Sequence, residues 1–138
     1  VPTADTPPVP GANRTGRVFL TNALLWLKRG GMNAPVQPEW FGGDSALLLL
    51  EQIAIVQPRV VVALGQQAYR AILRAYDLPV PTGPFRAVVD ASAGVPLPGL
   101  PATTLVGVYH CGARVQNTVR SLDRQREDWA RIGRLLDV

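Results

Sequence analysis

Two residues in this chain combine useful chemistry with a telling position. Asn22 closes the short apolar run Arg17-Val18-Phe19-Leu20-Thr21-Asn22, and His110 follows the run Thr104-Leu105-Val106-Gly107-Val108-Tyr109. A carboxamide presents an acceptor beside donors, which suits the hydrogen-bonding edge of a nucleobase. An imidazole can donate a hydrogen bond to developing negative charge or move a proton near neutral pH. Both runs read as buried strands, so both residues would stand at strand carboxyl ends, where open α/β sheets collect their ligands. The structural alternative is a histidine bonded to a neighbouring backbone group and an asparagine capping a turn.

Other reactive types are weaker candidates. Cys111 lies beside His110, but neighbours on an extended chain point to opposite faces. Cys111 therefore reads as a small buried hydrophobe and not as a nucleophile. Gly65-Gln66-Gln67-Ala68 occupies the place of a phosphate-binding turn yet carries neither the three-glycine dinucleotide fingerprint nor a Walker lysine, so it reads as a tight strand-to-helix turn. Glu39, Asp44 and Asp90 lack metal-ligand spacing. One histidine and one cysteine cannot build a protein-only zinc site or an internal disulfide. Glu127 and Arg131, four apart on an expected helix, read as a surface ion pair.

The elements that would position Asn22 and His110 follow from apolar patterning. Val1 to Gly16 holds four prolines and no periodicity, an irregular lead-in. A loop follows the first strand to about Gly43. A helix over Ala46 to Val56, capped by Asp44 or Ser45, ends before Pro58. Val60-Val61-Val62-Ala63-Leu64 is a β-branched run suited to a central parallel strand. Gly65 then opens a helix over Gln66 to Tyr76, with Ala68, Ile72 and Leu73 on one side.

Within the proline-rich stretch Leu78 to Thr103, Phe85-Arg86-Ala87-Val88-Val89 reads as a short strand. After His110, a single long amphipathic helix is expected from Arg114 to Leu136. Val115, Val119, Leu122, Trp129, Ile132 and Leu136 would share its apolar face, and Arg120, Arg124, Arg131 and Arg134 its basic face. Strand and helix alternate, which predicts an α/β fold of three layers, α/β/α, around a central parallel sheet. Three strands make such a sheet one short at its N-terminal side.

The chain has 138 residues, enough for one domain over 1–138; 47% are hydrophobic and 17% charged, so a buried core is feasible. No apolar run is long enough to span a bilayer, and a soluble, intracellular protein is the simplest reading. The net charge is +4, and arginine supplies every basic residue except Lys28. An arginine-rich basic domain fits a phosphate-bearing partner, although a GC-rich codon bias would enrich arginine too.

At these residues the chain resembles the uracil-DNA glycosylase superfamily. Three segments carry the resemblance in the family's order: Val18 to Asn22, Gln57 to Ala68, and Val108-Tyr109-His110 followed by Arg114. Together they span roughly residues 17 to 120. The resemblance implies a DNA-repair hydrolase that flips uracil out of DNA into a pocket above the sheet. Asn22 would read the O4 and N3 edge of the base and reject cytosine. His110 would hydrogen-bond O2 as charge builds there. The loop from Cys111 to Asn117, with Gly112, Arg114 and Asn117, would meet the DNA, and arginines at the start of the last helix would add backbone contacts. No metal and no cofactor are expected; the partner is uracil-containing DNA, met by a monomer in the bacterial cytoplasm, at the nucleoid when acting.

Three features depart from the family pattern. His110-Cys111-Gly112 stands where His-Pro-Ser is usual, and four iron–sulfur cysteines are lacking. The family's first motif, with the residue that positions the attacking water and the aromatic that stacks on uracil, has no counterpart in Val1 to Gly16. The expectation is therefore a chain that begins inside a larger domain. Two other readings compete: a DNA- or nucleotide-binding module that does not hydrolyse, and an unrelated α/β domain in which Asn22 and His110 open onto different faces.

Overall fold

A computed structural model describes residues 18–24, 30–31, 34–91 and 93–136. The expected lead-in over residues 1–16 and the ends of the chain lie outside the described residues. In chain order the elements are a 3₁₀ turn (Pro38–Phe41), α1 (Asp44–Val56), β1 (Val60–Leu64), α2 (Gln66–Ala75), α3 (Phe85–Ala91), β2 (Val95–Leu97), β3 (Leu100–Val108), α4 (Ala113–Thr118) and α5 (Leu122–Leu136).

The sheet has three strands in the order β1-β3-β2 and is mixed, which corrects the all-parallel expectation. β1 runs parallel to β3, with Val60 opposite Thr104 and Leu64 opposite Val108. β2 is antiparallel to β3 and joined to it by a tight turn at Gly99, where φ is +76°. A two-residue turn permits only antiparallel neighbours, so this hairpin reverses one strand.

Helices cover both sheet faces. Ala63 and Leu105 face Leu49 and Ile53 of α1, Ile72 and Leu73 of α2, and Phe85 and Val89 of α3. On the opposite face, Val60, Val62, Leu64, Val106 and Val108 pack with Ile132 of α5. This alternation is the pleat of two neighbouring strands expressed in burial. Gly107 in β3 leaves room for two rings: a Cβ there would stand 2.9 Å from Tyr69 and 3.2 Å from Phe85.

Several local expectations are corrected. Residues 18–22 form no strand; Val18, Phe19 and Leu20 are exposed, and the Thr21 hydroxyl donates to Gln52 Oε1 of α1 at 2.8 Å. A buried strand needs a ladder neighbour, and among the described residues this segment has none. Phe85 to Val89 is helical. Phe85 and Val89 lie one helical turn apart and both are buried, a spacing that a β-branched run conceals. Gly43, not Asp44 or Ser45, is the N-cap of α1, and no side chain caps it.

The long C-terminal helix is two helices, broken at residues 119–121. The break brings Arg120 inside, where its Nε and one terminal nitrogen grip Asp128 at 3.1 and 2.7 Å and the other reaches Asp90 at 2.5 Å. Arg131 also pairs with Asp128, not with Glu127. The buried residues of α5 are Gln125, Asp128 and Ile132, while Leu122, Trp129 and Leu136 are exposed. Ile132 seats α5 on the sheet, and the ionic network through Arg120 ties Asp128 of α5 to Asp90 of α3.

Candidate functional site

β1 and β3 end level with one another. The Gly65 amide donates to the Val108 carbonyl at 2.7 Å, closing the ladder one step past Leu64. The chain then turns at Gly65 with φ +97°, a conformation open to glycine. An ideal Cβ on Gly65 would lie 2.8 Å from Cδ2 and 3.0 Å from Nε2 of His110. Glycine is required here twice, once for the backbone and once for the imidazole that lies against it.

His110 is exposed at the rim of a cavity of about 420 Å³, which Gly65, Phe85, Arg86, Tyr109 and Val115 also line. Phe85 and Tyr109 meet edge to face, with centroids 5.2 Å apart and planes at 75°. Tyr69 continues the aromatic stack from below at 5.9 Å from Phe85, and its burial pushes the phenol pKa up. The cavity therefore joins an aromatic wall to one imidazole and one guanidinium, a lining that accepts a flat, polar-edged ring.

The turn that carries His110 is held by two glutamines. Buried Gln125 of α5 donates to the Arg120 carbonyl at 3.1 Å and to the His110 carbonyl at 3.4 Å. Gln116 of α4 donates to the Cys111 carbonyl at 2.9 Å. Behind them, the hydrogen bond from Arg120 holds the Asp90 carboxyl below its usual range despite partial desolvation, with Arg86 and Arg124 adding attraction. Hydrogen bonding to Asp128, then to Asp90, raises the Arg120 pKa against the cost of burial.

His110 is thus where the sequence predicts, just beyond a strand end. Gly112 is the N-cap of α4 in an extended conformation. Arg114 and Asn117 are exposed on α4, so the expected loop from Cys111 to Asn117 is mostly helix. Its Thr118 hydroxyl bonds back to the Arg114 carbonyl at 2.6 Å. Cys111 is exposed, not buried, because it lies past the strand in the turn before α4.

Asn22 is exposed in the irregular segment 18–24 and is not among the described residues lining the His110 cavity. It therefore does not stand at a strand end. Sequence reasoning passed over Phe85, Arg86 and Gln125. The signal for the first two was Pro84 ahead of apolar residues at helical spacing; Gln125 had none, since an exposed and a buried glutamine read alike. Among the described residues no cluster of His, Cys, Asp or Glu could hold a metal, and no helix is long and apolar enough to cross a membrane.

The family model described as the uracil DNA glycosylase superfamily matches residues 9–132, which take in every element from the 3₁₀ turn through most of α5. The chain belongs to the uracil DNA glycosylase superfamily. Comparison with curated proteins and with solved structures gives no match. In this superfamily member the matched region includes Asn22, Gly65, His110 and Arg114. Membership agrees with a mixed α/β fold and with glycosylase-type hydrolysis in DNA repair as the general activity.

Proposed function

We propose that this chain excises uracil from DNA by hydrolysing the N-glycosidic bond of a flipped-out nucleotide. The observation that carries the proposal is His110 lying against Gly65 at the joint end of β1 and β3, over an aromatic-walled cavity of base size. The C1′–N1 bond breaks with its electron pair moving to the base, and charge spreads onto O2. The His110 imidazole donates a hydrogen bond to that oxygen. Water adds to C1′ and its released proton neutralises the departing uracil anion, leaving an abasic sugar and free uracil. One preorganised donor of this kind contributes about 3 kcal/mol to the barrier reduction.

Asn22 would read the O4 and N3 edge of the base, a role supported by the resemblance over residues 18–22; it lies within the matched region. For that role segment 18–24 must approach the cavity mouth when DNA binds. Arg114 and Asn117, exposed on α4 just beyond His110, are assigned to the DNA around the flipped nucleotide, with Gly112 leaving the start of that helix open.

The test is abasic-site formation on a labelled oligonucleotide bearing one uracil, with full-length protein, wild type beside His110→Ala and Asn22→Ala. Cleavage by wild type, reduced on the order of 100-fold or more by His110→Ala, supports the assignment. Folded wild type that leaves both single- and double-stranded substrate intact overturns it. One observation favours a second reading, a DNA-binding module without hydrolysis: no carboxylate lines the His110 cavity among the described residues. That reading predicts tight uracil-DNA binding without abasic product.

A further inference from the structure

A second cavity, of about 400 Å³, adjoins the first. Arg86, Asp90, Val119, Arg120, Ser121 and Arg124 line it, and Arg86 lines both cavities. Its three guanidiniums are not equivalent. Arg120 is buried and committed to Asp90 and Asp128. Arg86 and Arg124 are exposed and, among the described residues, take part in no ion pair. Both nonetheless stand close enough to Asp90 to act on its carboxylate.

The charge around this cavity comes from Arg86, Arg120, Arg124 and Arg131 against Asp90 and Asp128, a small positive excess. Arg120, its donors already directed at carboxylates, forms a fixed floor. Arg86 and Arg124 present planar forks above it, the group best matched to phosphate oxygens. Asp90 keeps the excess small, which suits the single charge of a phosphodiester better than a free phosphate dianion. Arg86 also places this cation pair next to the cavity that would take the base.

We propose that Arg86 and Arg124 jointly hold one backbone phosphate of the DNA strand whose extruded base enters the His110 cavity. This rests on the glycosylase reading of that cavity. The subsite makes the contact sequence-independent and sets the register of the strand, leaving base choice to the first cavity.

The test is binding of full-length protein to a uracil-free single-stranded oligonucleotide across a salt series, with abasic-site formation measured on its uracil-containing counterpart. Each phosphate neutralised contributes about 0.7 to the slope of log affinity against log salt. Arg86→Gln and Arg124→Gln should each lower the slope by no more than this step, and the double variant by about 0.7 in total. Arg74→Gln, at the far end of α2, removes the same charge and should leave the slope unchanged. An unchanged slope in the double variant overturns the subsite, as does a fall of about 1.4, which would mean two separate phosphates. Abasic sites formed with an unmoved slope would sink the subsite and leave the glycosylase reading standing. The 0.7 step without any abasic product would do the reverse.

Discussion

The imidazole of His110 fills the space that a side chain on Gly65 would need, with Cδ2 2.8 Å from the ideal Cβ position. Two strand ends that are remote in sequence are thereby fitted to each other. The turn leaving β1 is shaped by a residue that follows β3, and neither can change without the other.

Gly65→Ala should consequently damage activity and stability together. The positive φ alone costs roughly 1–3 kcal/mol for a residue with a Cβ, and the clash displaces the imidazole as well. Abasic-site formation should fall on the order of 100-fold, the loss expected when one donor is misplaced. In a double-mutant cycle with His110→Ala, the stability cost of Gly65→Ala should shrink towards the backbone part. Strict additivity in denaturant unfolding would show that the two residues do not press on each other.

Acid should weaken the fold through Asp90. Its native pKa lies below the unfolded value, so its contribution is present above the unfolded pKa and fades as pH falls through the native one. The groups facing it are Arg120, Arg86 and Arg124. Asp90→Asn should flatten the stability curve on the acid side of the carboxylate range, with the difference from wild type small because the carboxylate is half exposed. Unfolding midpoints measured between pH 2 and pH 7 check this, and parallel curves would count against it.

Gln125→Leu should separate rate from affinity. The substitution removes the buried donor shared by the His110 and Arg120 carbonyls, at a cost of about 1–3 kcal/mol in stability. Because Gln125 acts on the backbone that carries His110 and touches no substrate, kcat should drop while KM changes little. A change confined to stability, with kcat intact at a temperature where the variant is folded, would reduce the glutamine to a structural role.

Ser45→Ala should stabilise the protein. The Ser45 hydroxyl is fully buried in the first turn of α1 and has no hydrogen-bond partner among the described residues. Removing an unsatisfied buried hydroxyl should return about 1 kcal/mol, read as a higher urea midpoint with an unchanged slope.

The parts of this fold legible in the sequence are those whose pattern is self-contained. β1 announces itself by five consecutive apolar residues after Pro58 and Arg59, and α2 by Ile72 and Leu73 on a helical period behind Gly65. His110 was legible because β3 is long and wholly apolar near its end. The parts that misled depend on distant partners. Val18 to Leu20 has strand composition but, among the described residues, no strand beside it. The α4–α5 break has no glycine or proline to mark it; it follows from Arg120 reaching two aspartates, 30 and 8 residues away. The aromatic wall was missed for the same reason, since Phe85 meets Tyr109 only after the chain has folded.

Gly107 gives the cavity a control that lies outside its lining. Phe85, which walls the cavity, rests against the bare backbone of β3 at Gly107 together with Tyr69. A methyl group introduced there would push the Phe85 ring outward and make the cavity shallower without substituting any residue that lines it. Selectivity between pyrimidines and bulkier purines can thus drift through a core position, so variation in damage preference between relatives of this chain should be sought beneath the pocket as well as in it.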